Sequence, residues 1–224
     1  MPQLTGDSTV DIQYRKLREA IIDGTYLPGS VLLETAISKE YGVSRTPARE
    51  ALTRLTQDGW VVRSRRGYQV RIRSTDEIVD LFDARIALEG SAAALACERR
   101  TTADLDLLDH LLKLRSDTDD SSVQAKLNKQ WHVATIEASH NASIIRFTTE
   151  LRIQLQIYQR GYEIERAHFG DEETELREHI AITDALRNRD SLAARELVTT
   201  HLTRGRNLRI AAMNHQSLGA TPSR

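Results

Sequence analysis

A helical run that stops at Gly42 and restarts at Ser44 leaves the chain almost no freedom between two helices. Glu34 to Tyr41 carries Ala36, Ile37 and Tyr41 at helical spacing. Gly42 can take the left-handed backbone that closes a helix and redirects the chain. Ser44 is a good N-cap for the next run, which reaches Asp58 before Gly59 ends it. Pro47 falls in the first turn of that run, where the missing N–H costs nothing because those donors have no intrahelical partner. Ala51, Leu52 and Leu55 supply the face to be buried. Ahead of both runs, Val10 to Gly24 places Ile12, Leu17, Ala20 and Ile21 on one helical face, and Pro28-Gly29 turns the chain.

Two strand-like runs follow, Trp60-Val61-Val62 and Tyr68 to Ile72, around a basic tip of Arg65-Arg66-Gly67. Helix, helix, tight turn, helix and a basic hairpin is the layout of a winged helix-turn-helix. Its third helix enters the major groove by the N-terminal end, which must therefore read base edges and hold phosphates. Arg45 and Arg49 are four apart and share a face, Ser44 and Thr46 add short hydroxyls, and the helix's positive end favours a phosphate. Charge agrees with this reading. The 224 residues carry a formal net charge of −1, yet residues 1–73 hold 12 Lys/Arg against 8 Asp/Glu. Arg63, Arg65, Arg66, Arg71 and Arg73 fall in a stretch without an acid, so an anionic partner is expected for the N-terminal part alone.

Leu27-Pro28-Gly29, then Gly42-Val43-Ser44-Arg45-Thr46-Pro47-Ala48-Arg49-Glu50-Ala51-Leu52, then Asp58-Gly59-Trp60-Val61 and Gly67 resemble the GntR family of bacterial transcription regulators over about residues 10–73. The resemblance implies that Arg45 and Arg49 contact bases or adjacent phosphates and that Ser44 and Thr46 contact the backbone. It further implies that the wing tip at Arg66 and Gly67 reaches the minor groove. Arg54 is either a phosphate contact or a solvent-facing residue.

From Thr75 onward strand signals almost vanish. Helical patterns run over 76–99, 105–114, 123–138, 142–158, 172–187 and 191–213, so an all-α bundle is expected behind the winged module, making the chain mainly α. The expected division is 8–73 for the DNA-binding part and 74–212 for the helical part, with 213–224 a patternless, disordered tail. No apolar run approaches the roughly 18 residues of a membrane span. A single cysteine, Cys97, excludes an internal disulfide framework. Together these point to the cytoplasm and away from membrane or secreted classes.

Polar residues sit on the apolar faces of these helices. Asn128 and His132 are four apart beside Leu127, Trp131 and Ile136; His179 shares a face with Leu176, Ile180, Thr183 and Leu186; His201 shares one with Leu197, Val198, Leu202 and Leu208. Each histidine alone reads as a hydrogen-bonded core residue, but three imidazoles pointing inward can also close on one divalent metal. Arg85 lies in an apolar stripe and needs an anionic partner, for which Glu89, four residues on, would serve.

Asp83-Ala84-Arg85 with Leu88-Glu89, Trp131-His132 followed by Asn141, Glu178-His179, and Asp190 leading to His201 resemble the FCD ligand-binding domain of the FadR subfamily. That resemblance implies a divalent metal, Zn²⁺ or else Ni²⁺, held by Asn128, His132, His179 and His201. A small carboxylate effector would complete the coordination, with Arg85 as a partner for its carboxylate. The family usually has Asp where this chain has Asn128, and Phe where it has Trp131. The neutral amide leaves the site one charge more positive, which weakens a metal and favours an anionic ligand. The leading expectation is a homodimeric repressor on a pseudo-palindromic double-stranded operator, released by a small organic acid. Two alternatives stand beside it: a metal-dependent hydrolase using the three histidines, although Glu178 should point to a different face, and an architectural DNA-binding protein that takes no ligand.

Overall fold

The computed structural model describes residues 7–160 and 172–219. Contacts among them fall into two compact units: residues up to Ser74 together with the end of one later helix from Ile153, and Thr75 to Arg152 together with the helices that follow. In the first unit come α1 (Thr9–Ile22), β1 (Val31–Leu32), α2 (Glu34–Glu40), α3 (Arg45–Gln57), β2 (Val61–Ser64) and β3 (Gly67–Val70). Ser8 caps α1 by accepting from the Asp11 N–H at 3.1 Å. Gly42 has φ +65° between α2 and α3, the left-handed turn that its lack of a Cβ permits. Ser44 occupies the N-cap position of α3 with extended backbone, but its hydroxyl makes no capping hydrogen bond.

The sheet has the order β1-β3-β2, antiparallel throughout, with Leu32 opposite Tyr68 and Val61 opposite Val70. The strand β1 is too short for its pattern to be read from the sequence. Its presence explains the glycine at the wing: Gly67 has φ +126°, and a Cβ there would lie 3.0 Å from the Leu32 carbonyl oxygen. Leu17, Ile21, Ile37, Leu52 and Leu55 from the helices close on Leu32, Trp60, Val61, Tyr68 and Val70 from the sheet and its approach.

The second unit holds α4 (Thr75–Arg99), α5 (Thr102–Ser116), α6 (Ser121–Glu137), the part of α7 (Ala142–Arg160) before Ile153, α8 (Glu172–Arg187) and α9 (Ser191–Gly219). Small residues let α4 and α9 approach: a Cβ on Gly90 would meet Thr199 Oγ1 at 3.1 Å, and Ala93, Ala96 and Ala194 are fully buried. Cys97 is a packed core residue, 0 % exposed. The starts of α5 and α6 lie ahead of the apolar periodicity because capping residues, not apolar ones, set them. Thr101 forms a reciprocal capping box with Asp104, which begins α5 three residues before the pattern does. Asp120 accepts from the N–H groups of Ser122 and Val123 to begin α6, and Asn141 accepts from those of Ser143 and Ile144 to begin α7. At the other end α9 continues to Gly219, six residues past the expected end of its pattern, so that much of the expected tail is helix; residues 220–224 lie outside the described residues. No helix among the described residues is long and apolar enough to cross a membrane.

Thr101→Ala removes a hydroxyl that both accepts from the Asp104 N–H and donates to the Asp104 carboxylate, and is expected to cost about 1 kcal/mol. The urea midpoint of the helical unit should fall accordingly with an unchanged slope. An unchanged midpoint would show that the box does not hold the start of α5.

Candidate functional site

The N-terminal unit presents its basic residues at the start of α3 and on the wing. Arg45 opens α3 and, like Thr46 beside it, is exposed. Arg49, one turn on, is held in a fork: its Nε lies 3.0 Å from both Glu34 oxygens and its Nη2 donates to Oε2 at 2.9 Å. The Arg49 hydrogen bond keeps the Glu34 carboxyl below its ordinary range. Arg54 donates to Asp11 at 2.7 Å and lies over the Tyr14 ring at 4.3 Å, so it has partners of its own on α1. Arg65 and Arg66 form the exposed turn between β2 and β3, where the Arg66 N–H donates to Ser64 Oγ at 3.3 Å. Arg63 stacks on Tyr68 at 4.5 Å.

In the helical unit, α6, α8 and α9 bring His132, His179 and His201 together, with 8 %, 0 % and 5 % exposure. His201 Nε2 lies 3.3 Å from His179 Nε2 and 3.3 Å from His132 Nε2. Trp131 stacks on His179 with ring centroids 3.8 Å apart, and its indole N–H donates to Thr183 at 3.2 Å. Ile180, read from the sequence onto the His179 face, is instead 44 % exposed. Burial is the first cause that pushes the His132 and His179 imidazoles well below their ordinary range, and neighbouring His and Arg groups add to it. Burial also lowers His201, with Glu178 opposing. Neutral rings keep a lone pair each, and that is the form a metal requires.

Behind each histidine stands an acid–arginine pair. His201 Nδ1 donates to Glu178 Oε2 at 2.6 Å, and Arg204 donates to both oxygens of Glu178 at 2.8 and 2.6 Å. Glu178 does leave α8 on a different face from His179, as expected, but that face meets α9 and so serves His201. His132 Nδ1 lies 3.8 Å from Glu89 Oε2, and Glu89 Oε1 accepts from Arg85 at 2.6 Å and from Arg152 at 3.3 Å. Burial alone would raise the Glu89 carboxyl, but Arg85 and Arg152 outweigh it and hold it down. Behind His179 the order is reversed. Arg115 Nη1 donates to His179 Nδ1 at 3.0 Å, while its Nη2 donates to Glu175 at 2.5 Å. Asn128 Nδ2 donates to the other Glu175 oxygen at 3.3 Å, and Asn128 Oδ1 is buried with no hydrogen-bond partner among the described residues.

The structure therefore gathers the three predicted histidines and gives Arg85 the partner four residues on. Sequence reading missed Arg115, Glu175, Arg152 and Arg209. Burial, with Arg85 and Arg152 nearby, pushes the Arg209 guanidinium down to about 10. The signal available for Glu175 was its place one turn before His179; Arg115 ends an amphipathic helix and looks like a surface cation.

Residues 12–70 match the model of the bacterial regulatory proteins of the gntR family, and residues 80–204, more than half of the chain, match that of the FCD domain. An uncharacterised HTH-type transcriptional regulator of Bacillus subtilis, YdhC, is 28 % identical over 199 residues, covering 84 % of this chain and 85 % of that protein. The HTH-type transcriptional repressor GlaR of Escherichia coli is 29 % identical over 202 residues, covering 84 % and 90 %. The solved structure of E. coli McbR/YncC shares the fold, with a TM-score of 0.63 and 21 % identity over 95 % of this chain and 100 % of that one. The family and these relatives are transcription regulators, which sets the hydrolase alternative aside. The chain is a member of the GntR family: a DNA-binding transcription regulator, not an enzyme, with an FCD domain behind its winged helix-turn-helix.

Proposed function

We propose that this regulator is a homodimeric repressor whose grip on a pseudo-palindromic operator is loosened by a small carboxylate effector, bound through a divalent metal in the helical unit. The observation that carries the metal is that His201 Nε2 lies 3.3 Å from the Nε2 atoms of both His179 and His132, with the ligand atoms of all three buried rings within 4.8 Å of one another. Ligands about 2.0–2.1 Å from one ion at tetrahedral angles lie about 3.3 Å apart, the spacing of a zinc site. Asn128 Oδ1, buried and unpaired, is a fitting fourth donor. The ion when bound supplies a positive coordination position for a carboxylate oxygen. Glu178 fixes the His201 tautomer with its lone pair on Nε2, facing the other two rings. Arg85 and Arg152 share the one carboxylate of Glu89, so the pair carries excess positive charge toward which an anionic effector would be drawn.

On the DNA side, Ser44, Arg45, Thr46 and Arg49 form the reading end of α3, and Arg66 with Gly67 forms the wing tip. The uncapped Ser44 hydroxyl is open to a phosphate. Arg49 is oriented by Glu34, and Arg54 would reach a phosphate only by exchanging Asp11 for it. The name of GlaR, a repressor, supports the sign of regulation. An effector acts only through a difference in its affinity for the two states of the protein, since equal affinity shifts nothing.

Two outcomes are expected. Dialysed protein should retain or take up about one Zn²⁺ or Ni²⁺ per chain by elemental analysis, and His201→Ala should abolish uptake. No uptake by the unsubstituted protein would remove the metal and leave the histidines to bind the effector directly. Operator affinity should fall steeply between about 50 and 200 mM salt, and Arg49→Ala should weaken it by about 1–3 kcal/mol. Unchanged affinity in Arg49→Ala would remove Arg49 from the interface.

A further inference from the structure

We propose that Arg115 is a built-in antagonist of metal at the three-histidine centre, occupying His179 from behind and withdrawing onto Glu175 when an ion is taken up; this rests on the metal reading above. A guanidinium has donors only, so the 3.0 Å contact with Arg115 Nη1 requires the lone pair of His179 to be on Nδ1. The ring proton is then on Nε2, the atom that faces His201 at 3.3 Å. His201 has the opposite tautomer, because its Nδ1 donates to Glu178 and its Nε2 lone pair is left to accept. The two rings therefore satisfy each other with a hydrogen bond at the place where both should offer lone pairs. His201 is set for a metal and His179 is set against one.

To ligate through Nε2, His179 must give that proton to water and take one at Nδ1, with no net change in protons. The new Nδ1–H cannot face an Arg115 donor. Metal-bound histidines rest on an acceptor behind the ring, as His201 rests on Glu178. Glu175 is that acceptor in waiting. It stands one helical turn before His179, it already accepts from Arg115 Nη2 at 2.5 Å, and its other oxygen accepts from Asn128 at 3.3 Å. A small shift of the guanidinium along Glu175 removes the donor from Nδ1 and leaves that position to a Glu175 oxygen. Arg115 thus makes uptake conditional, and the neutral Asn128 adds to the same effect.

Zn²⁺ alone, titrated into the full-length protein against a chromophoric chelator, tests this. Arg115→Gln keeps an amide donor for Glu175 and offers Nδ1–H a carbonyl acceptor; it should bind Zn²⁺ about tenfold more tightly than the unsubstituted protein, within the range of such outer residues. Arg115→Lys, still a donor-only cation, should not. Nitrogen NMR of the unsubstituted protein needs no variant: the His179 proton should be on Nε2 before Zn²⁺ and on Nδ1 after it. Equal or weaker binding by Arg115→Gln, or a proton on Nδ1 from the start, would overturn the role of Arg115 while leaving the metal site standing. Failure of the unsubstituted protein and of Arg115→Gln alike to take up Zn²⁺ would overturn both.

Discussion

Three imidazoles taken out of water and turned toward one point fix what the helices around them must carry. Burial leaves the rings neutral, and each still needs a partner at the nitrogen that faces outward. Glu178, held by Arg204, accepts from His201, and Arg115, held by Glu175, donates to His179; behind His132 the Glu89 carboxylate, shared by Arg85 and Arg152, stands 3.8 Å away. Such charges are expensive in a helical core: an apolar residue in their place is often neutral or stabilising, whereas a single unpaired ion costs several kcal/mol. A bundle that only held two DNA-binding units together would have no use for them. The alternative of an architectural protein with a passive bundle sits poorly with this arrangement.

The DNA-binding unit manages charge by a different rule. Arg49 and Arg54 are exposed and paired with Glu34 and Asp11 across water-facing surfaces. Exposed pairs of this kind contribute little and are screened by salt, so a phosphate or base edge can compete for the guanidinium. The acids therefore hold the arginines in place without removing them from use. In the helical unit the Arg85–Glu89 pair is desolvated, and Glu178 and Arg115 fix the tautomers of His201 and His179; on α3 the pairs are wet and fix only direction.

The N-terminal unit was legible because each feature has a local cause. Gly42, Ser44, Pro47 and Gly59 mark helix ends by backbone chemistry alone, and the starts and stops of α2 and α3 follow. The missed strand β1 has two residues and draws its register from pairing with β3, a non-local interaction that no pattern of period two can announce. In the helical unit the inward histidines were visible as polar residues on apolar faces, and α8 was readable end to end. Their outer partners were not. Arg115 looks like a cation closing an amphipathic helix, and only the packing of α5 on α8 turns it toward His179. Glu178 was rightly separated from His179, but helix periodicity does not say which neighbour the other face meets. The same limit applied to Ile180, assigned to the core and found exposed.

Control of DNA affinity by the buried histidine centre is open to one direct measurement. An operator selected from random duplex DNA would be titrated with the protein by fluorescence anisotropy, with and without a panel of metal-chelating hydroxy- and dicarboxylates, for the unsubstituted chain and for His179→Ala. At least one acid should weaken operator binding by the unsubstituted protein and leave His179→Ala bound and unresponsive. An acid that released both proteins equally, or operator binding indifferent to every acid in the panel, would contradict control through the three histidines.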